Sequence, residues 1–369
     1  MGRRRWVAAT VRAVTSLLLD RADLRARVQR ALAAFMGRQR IRLAEIDQPS
    51  LMPVADAIWS LLRSGKRLRP AFAYWGYRGA GGADSDAVVA TVAALELVQA
   101  SALIHDDVMD GSATRRGEPA THRRFAAMHD DEDWRGSADS FGTAAAILLG
   151  DLCLVWSDEL LHNAGLDPAT LARVRPVFDE MRMQVTVGQY LDVQTQASGN
   201  SSADRAGLIA RYKSAKYTIE QPLVLGAAIA DAPASLVKAY SAYGLPLGEA
   251  FQLRDDLLGV FGDPSLTGKP AGDDLREGKR TYLIAVALEG TDANGRAAIE
   301  TMLGDPSLDG AGVEHLRGII TASGALKRTE ERIAELTASA LDALSHATIE
   351  EEPEEVLRGL ARAATHREG

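Results

Sequence analysis

His105-Asp106-Asp107-Val108-Met109-Asp110 ends a long apolar, alanine-rich run that starts near Ser85. The run reads as a helix. On a helix Asp106 and Asp110 are i and i+4, so both carboxylates share one face. Like charges packed together there cost stability unless a cation bridges them. Carboxylates without His or Cys partners favour a hard cation such as Mg²⁺. A second apolar run ends in Asp255-Asp256, with Asp263 nearby. Two such clusters on separate helices can hold several metal ions between them, which suits a polyphosphate better than a lone ion.

The rest of the composition agrees with helices. The chain has 369 residues, of which 46% are hydrophobic but only 5% aromatic. Alanine and leucine abound and β-branched runs are few, which favours an all-α protein with a sizeable core. A formal net charge of −8 argues against nucleic acid as the main partner. A negative protein that binds a negative substrate needs local correction by metal ions and placed Arg and Lys. The single cysteine, Cys153, excludes an intramolecular disulfide and fits a reducing, cytoplasmic compartment. Between Leu152 and Leu154 it reads as a small buried hydrophobe.

Arg3-Arg4-Arg5 before an apolar run imitates a signal peptide, but Arg12 interrupts the run and no small-residue cleavage site follows. At most this segment makes a weak peripheral membrane contact. No stretch approaches about 18 uncharged apolar residues, so no transmembrane helix is expected.

Helical periodicity predicts helices near 22–46, 52–63, 70–79, 85–110, 139–164, 168–195, 203–230 and 235–261, with shorter ones to 364. Asp84-Ser85, Asp167-Pro168 and Ser202 are placed to start three of them, and Pro222 and Pro246 to kink theirs. Residues 111–139 and 262–278 read as long polar loops, each positioned as a lid beyond an acidic cluster. The domain reading is an N-terminal extension and first helix over 1–48 and a single all-α catalytic domain over 49–369.

Gly65-Lys66-Arg67-Leu68-Arg69-Pro70 puts cations at a helix N-terminus, where free N–H groups already favour an anion. Arg115-Arg116-Gly117 follows the first acidic cluster, and Lys216, Lys269 and Lys279 lie further on. Each alone reads as a surface charge. Beside the acidic pairs they indicate two anionic ligands, one bound through metal and one directly by Arg and Lys.

On these motifs, with Gly188-Gln189, Phe251-Gln252-Leu253-Arg254-Asp255-Asp256, and Gly268-Lys269-Pro270 running into Asp273-Asp274, the chain resembles the trans-isoprenyl diphosphate synthases, the polyprenyl synthetase family, over about residues 50 to 350. The resemblance implies antiparallel helices around a central cavity, usually in a homodimer. It implies Asp106, Asp107, Asp110, Lys216, Gln252, Asp255 and Asp256 in catalysis, with about three Mg²⁺ ions per site and Asp106, Asp110 and Asp255 as ligands. Arg115, Lys216, Gln252 and Lys269 would contact an allylic diphosphate. Lys66, Arg69, Gln99 and Arg116 would hold isopentenyl diphosphate, with Gln99 standing where many members carry His. The reaction implied is a head-to-tail condensation. The allylic carbon–oxygen bond ionises, the isopentenyl double bond attacks, and a proton is lost.

Two positions depart from the family pattern. Gly259 replaces the third Asp of the second cluster. Members often carry Thr directly after the Lys; here Tyr217 stands between Lys216 and Thr218. His129-Asp130-Asp131-Glu132-Asp133 imitates a metal motif but reads as a solvated loop. His105 is expected to hydrogen-bond locally, and Glu96 to face solvent or a partner subunit. Product length is set below the first cluster, where Ser101, Ala102 and Val98 are read as lining a tunnel on the Asp106 face. Their small size, at about 4.5 Å per three residues, favours a twenty-carbon product. The other readings are a fifteen-carbon or a longer C25–C30 product, a class I terpene cyclase, and a non-catalytic subunit of a heteromeric synthase.

Overall fold

The computed structural model describes residues 21–199, 201–263 and 272–365. The all-α expectation holds. The first helix, α1 (Leu24–Leu62), spans both of the first two predicted helices. It bends at Asp47, whose backbone is extended (φ −161°), just before Pro49 and Pro53. α2 (Leu68–Gly79) and α3 (Asp86–Met109) follow. Ser85 caps α3, its Oγ accepting from Val88 N at 3.3 Å.

Residues 111–139 are not one long loop. They hold a small hairpin, β1 (Thr114–Arg115) paired antiparallel with β2 (Glu118–Pro119), and then α4 (Thr121–Asp131). α4 buries Thr121, His122, Phe125, Ala126 and His129. That spacing is helical, but two of the five are histidines and one a threonine, so hydropathy hid it. His129 is therefore buried, with its ring against Trp134 and Phe141, while Asp130 to Asp133 are exposed as a solvated charge run should be.

α5 (Ala138–His162) and α6 (Pro168–Ser198) lead into α7 (Ala203–Ile209). Asp167 and Ser202 cap α6 and α7 as expected. The predicted helix 203–230 then changes character. Residues Ala210–Glu220 form a π-helical segment, and α8 (Gln221–Ile229) resumes with Pro222 in its first turn. Pro222 starts a helix here rather than kinking one, because a first-turn residue needs no N–H partner. α9 (Ala234–Phe261) continues through Pro246. The short α10 (Asp273–Arg276) precedes α11 (Tyr282–Gly290), α12 (Ala293–Met302), α13 (Gly310–Ala322), α14 (Ala325–Ser345) and α15 (Glu351–Thr365).

The larger apolar core runs from Leu24, Val28 and Leu32 on α1, through α2, α3, α5 and α6, to Val356, Leu357 and Leu360 on α15. A smaller one joins α9 to α11–α14. α9 belongs to both. Tyr240, Tyr243 and Leu247 face the first, while Leu253, Leu257 and Val260 face the second. Each fully buried side chain of this kind contributes about 1.5–3 kcal/mol. α9 is thereby held along its whole length, and its last turns, with Asp255 and Asp256, are fixed in place.

α3 and α5 are long and apolar enough to cross a membrane by length and composition, which corrects the sequence expectation. α3 is a core helix, with 72% of its apolar window buried. α5 leaves Ile147, Leu148 and Val155 exposed. Cys153 is buried and unpaired, and burial pushes its thiol far up.

Candidate active site

The ends of α3 and α9 open on one cavity of about 500 Å³. Asp106 and Leu103 line it from α3, and Gln252, Asp255, Asp256 and Gly259 from α9. Lys66, Arg115, Asp192, Lys213, Asp274, Lys279 and Arg280 complete the polar lining. The two acidic clusters therefore face a shared space.

Asp106 accepts from Lys213 Nζ at 3.0 Å and Gln189 Nε2 at 3.1 Å, and Arg115 lies 3.5 Å away. Burial alone would raise its pKa, but Lys213, Lys279 and Arg115 hold the carboxyl well below the usual range. Asp110 goes the other way. Burial lifts it to about 6, with the Asp106 and Glu277 charges adding to the rise and Lys279 opposing it. Asp256 is lifted to about 8, again mainly by burial, although Gln252 Nε2 donates to it at 2.7 Å.

Asp107 points elsewhere. It is 2% exposed and accepts from Arg115 Nε at 2.9 Å. It anchors an arginine and does not line the cavity. The hairpin explains why neighbouring arginines diverge. Arg116 and Gly117 both have positive φ, the two-residue turn that matches strand twist. Arg115, on the strand, reaches the acidic cluster. Arg116, on the turn, donates to Leu61 O at 2.9 Å in the last turn of α1 and to Ser64 O at 3.1 Å just past it. A second cavity of about 520 Å³ lies on that side, lined by Arg63, Arg115, Arg116 and Arg124.

The residues expected to hold isopentenyl diphosphate are dispersed. Lys66 lines the first cavity and Arg116 the second. Arg69 donates to Thr218 Oγ1 at 2.9 Å and stacks on the Tyr217 ring at 4.0 Å. Gln99 is half-buried on α3. Arg67 is 4% exposed and pairs with Glu96, also 4% exposed, so Glu96 faces neither solvent nor a partner.

Lys216 does not line the cavity. Its Nζ pairs with Glu220 at 2.8 Å. Lys213 is the lysine at the site, between Asp106 and Asp192, the latter at 2.6 Å. It is delivered by the π-helical segment, whose i→i+5 bonds alter the register that plain helical spacing assumes. Gly188 permits the close approach, because a Cβ there would overlap the Lys213 backbone. The signal was present in the sequence. Lys213-Ser214 is a lysine followed directly by a hydroxyl residue, which Lys216-Tyr217 is not.

Lys279 Nζ lies 3.2 Å from Asp110, 3.5 Å from Asp274 and 2.6 Å from Glu277. Asp274 and Arg280 escaped notice as site residues in the sequence. Lys269 lies outside the described residues. Asp263 is exposed.

Among the described residues no three carboxylates, imidazoles or thiols converge tightly enough to hold a metal by themselves. The donor set still fits Mg²⁺. It is all oxygen, and the buried Asp110 Oδ2, near Lys279, makes no hydrogen bond. Lys213 and Lys279 stand between carboxylates whose remaining partner would be a diphosphate's metal ions.

On α3, Ala102 sits about 40° round the axis from Asp106, and Ser101 about 140°. Ser101 is 2% exposed, Val98 is also buried, and Ala102 is half-buried. None of the three lines the cavity, and Ser101 is not on the Asp106 face.

The pattern of the polyprenyl synthetase family matches residues 52–320. The chain is 32% identical over 299 residues to a geranylfarnesyl diphosphate synthase of Aeropyrum pernix, covering 79% of this chain and 87% of that one. It is 32% identical over 294 residues to a geranylgeranyl diphosphate synthase of Mycobacterium tuberculosis, covering 79% of each. A geranylgeranyl pyrophosphate synthase from Corynebacterium glutamicum, solved with isoprenyl diphosphate and magnesium, superposes with a TM-score of 0.89 at 40% identity, over 92% of this chain and 97% of that one.

Proposed function

The chain belongs to the polyprenyl synthetase family, and from that premise we propose that it makes geranylgeranyl diphosphate by Mg-assisted head-to-tail condensation. It is a prenyltransferase. The observation that carries the reading is Asp106 facing Asp255 and Asp256 across one cavity, with Lys213, Lys279 and Arg115 in its lining and Asp110 behind Lys279.

Magnesium held by Asp106, Asp110 and Asp255 would neutralise charge building on the departing diphosphate. Lys213, Lys279 and Arg115 leave their carboxylate partners to bind the diphosphate oxygens. Isopentenyl diphosphate is held by Lys66 in this cavity and by Arg116 from the second one, which shares Arg115 with it, and its double bond attacks the allylic carbon. The proton lost passes to the released pyrophosphate, so no dedicated base is needed. Apolar walls such as Leu103 and Leu258 keep water from the allylic cation. Chain growth runs along α3 past Ala102, whose small side chain admits a twenty-carbon product. Residues 49–369 form the catalytic domain and 1–48 an N-terminal extension and first helix, whose Leu24, Val28 and Leu32 join the core, and the enzyme works in the cytoplasm. Exposed Ile147, Leu148 and Val155 on α5, with Val187 and Tyr190 on α6, support a homodimer.

The test is incubation of pure protein with Mg²⁺, isopentenyl diphosphate and dimethylallyl, geranyl or farnesyl diphosphate in turn, followed by sizing of products. A twenty-carbon chain is expected. Absence of any condensation would overturn the reading, and a product ending at fifteen or passing twenty-five carbons would overturn the length.

A further inference from the structure

The first cluster sets Asp110 four residues after Asp106. The second sets Gly259 four residues after Asp255, so helix geometry puts bare backbone where a carboxylate is wanted. That space is filled. A Cβ built on Gly259 would overlap Oδ2 and Cγ of Asp274 and would lie 3.0 Å from Oδ1. We propose that Asp274 supplies, from a separate helix, the carboxylate that position 259 lacks, so that Asp255, Asp256 and Asp274 together form the second metal-binding cluster. Gly259 is then glycine because that carboxylate needs the room. The inference rests on the reading of the cavity as a magnesium–diphosphate site.

Two further observations support it. Asp274 is 8% exposed and lines the same cavity as Asp255 and Asp256. Lys279 lies 3.5 Å from Asp274 and 3.2 Å from Asp110, so one ammonium links the Asp274 carboxylate to the first cluster. Ion pairing alone does not account for the placement. Lys279 already has Glu277 at 2.6 Å and Asp110 at 3.2 Å, and Asp274 is the most distant of its partners. The backbone places the group. Gly272, at φ +70°, turns the chain into α10, whose first turn carries Asp274 onto the last turns of α9.

The test uses full-length protein and measures binding of inorganic pyrophosphate by calorimetry as Mg²⁺ is titrated. Asp274→Asn keeps the shape and removes the charge. It should raise the Mg²⁺ concentration needed by about tenfold or more. Gly259→Ala should do the same by expelling the carboxylate. The exchange variant, Gly259→Asp with Asp274→Ala, should recover Mg²⁺ dependence to within about threefold of the parent, whereas Asp274→Ala alone should not. Melting temperatures of the metal-free proteins check that each variant is folded. Asp106→Asn separates this inference from the functional reading. If Asp106→Asn loses binding while Asp274→Asn keeps the parental Mg²⁺ dependence, the role of Asp274 is overturned and the site stands. If neither substitution matters, both fall. An exchange variant no better than Asp274→Ala would also sink the spatial substitution.

Discussion

Lys213 Nζ sits 3.0 Å from Asp106 Oδ1, joining the π-helical segment to the end of α3 across 107 positions of sequence. The same ammonium is 2.6 Å from Asp192 on α6. It is thus clamped between two carboxylates, and its own proton is held more tightly than usual despite burial. A cation fixed there is ready to pass to a diphosphate when metal ions take over the aspartates.

Lys213→Ala should therefore lower turnover by about a hundredfold or more, an effect on the ionisation step. Lys216→Ala, which breaks the Glu220 pair and a contact with the Tyr212 ring, should stay within about threefold of the parent. Steady-state kinetics with a saturating allylic diphosphate decide between them. Equal losses would return Lys216 to the site.

Asp106→Ala and Asp255→Ala should each reduce turnover by several orders of magnitude while circular dichroism shows intact helices. Both side chains line the cavity rather than the core. Asp107→Ala should behave differently. It frees Arg115 and leaves a buried guanidinium short of a partner, so its melting temperature should fall along with its activity.

The pH dependence of the metal-free protein follows from Asp256. Its folded pKa is raised to about 8, while an unfolded Asp titrates near 4. The stabilisation is complete below the unfolded value and is lost as pH rises through the folded one. In chelator, the melting temperature should fall between pH 5 and pH 8. Asp256→Asn, which keeps an acceptor for Gln252, should flatten that slope and melt higher at pH 8, where about 1 kcal/mol corresponds to a few degrees. An unaltered slope in Asp256→Asn would place the buried proton elsewhere.

Product length gives a comparison of two adjacent residues. Ala102→Phe puts a ring on the half-buried side of α3 nearer Asp106 and should shift products toward fifteen carbons with little change in melting. Ser101→Phe, in a fully buried position turned away, should cost about 1–3 kcal/mol by overpacking and leave product length unchanged. Shortened products from folded Ser101→Phe would put the growing chain on the other face of α3.

The all-α architecture, the caps at Ser85, Asp167 and Ser202, and the opposed acidic clusters were legible in the sequence. Each rests on local chemistry: periodicity, a side-chain oxygen at a helix start, or two carboxylates one turn apart. The hairpin Arg115-Arg116-Gly117 was visible as a motif, but its consequence was not. Only the turn geometry sends one arginine to Asp107 and the other to the Leu61 carbonyl at the end of α1.

Tertiary structure alone decided how Lys213 reaches the site and where the missing carboxylate comes from. A π-helical segment has no signature in a hydropathy pattern, so plain helical spacing does not favour Lys213 over Lys216, although the hydroxyl residue after Lys213 does. Glu96 and Arg67 lie 29 positions apart and look like two surface charges until folding buries them together. Gly259 reads as a lost ligand in the sequence, because sequence records what a position lacks and not what fills the space. Asp274 occupies it because α10 packs on α9 there, a contact between segments that no local pattern encodes.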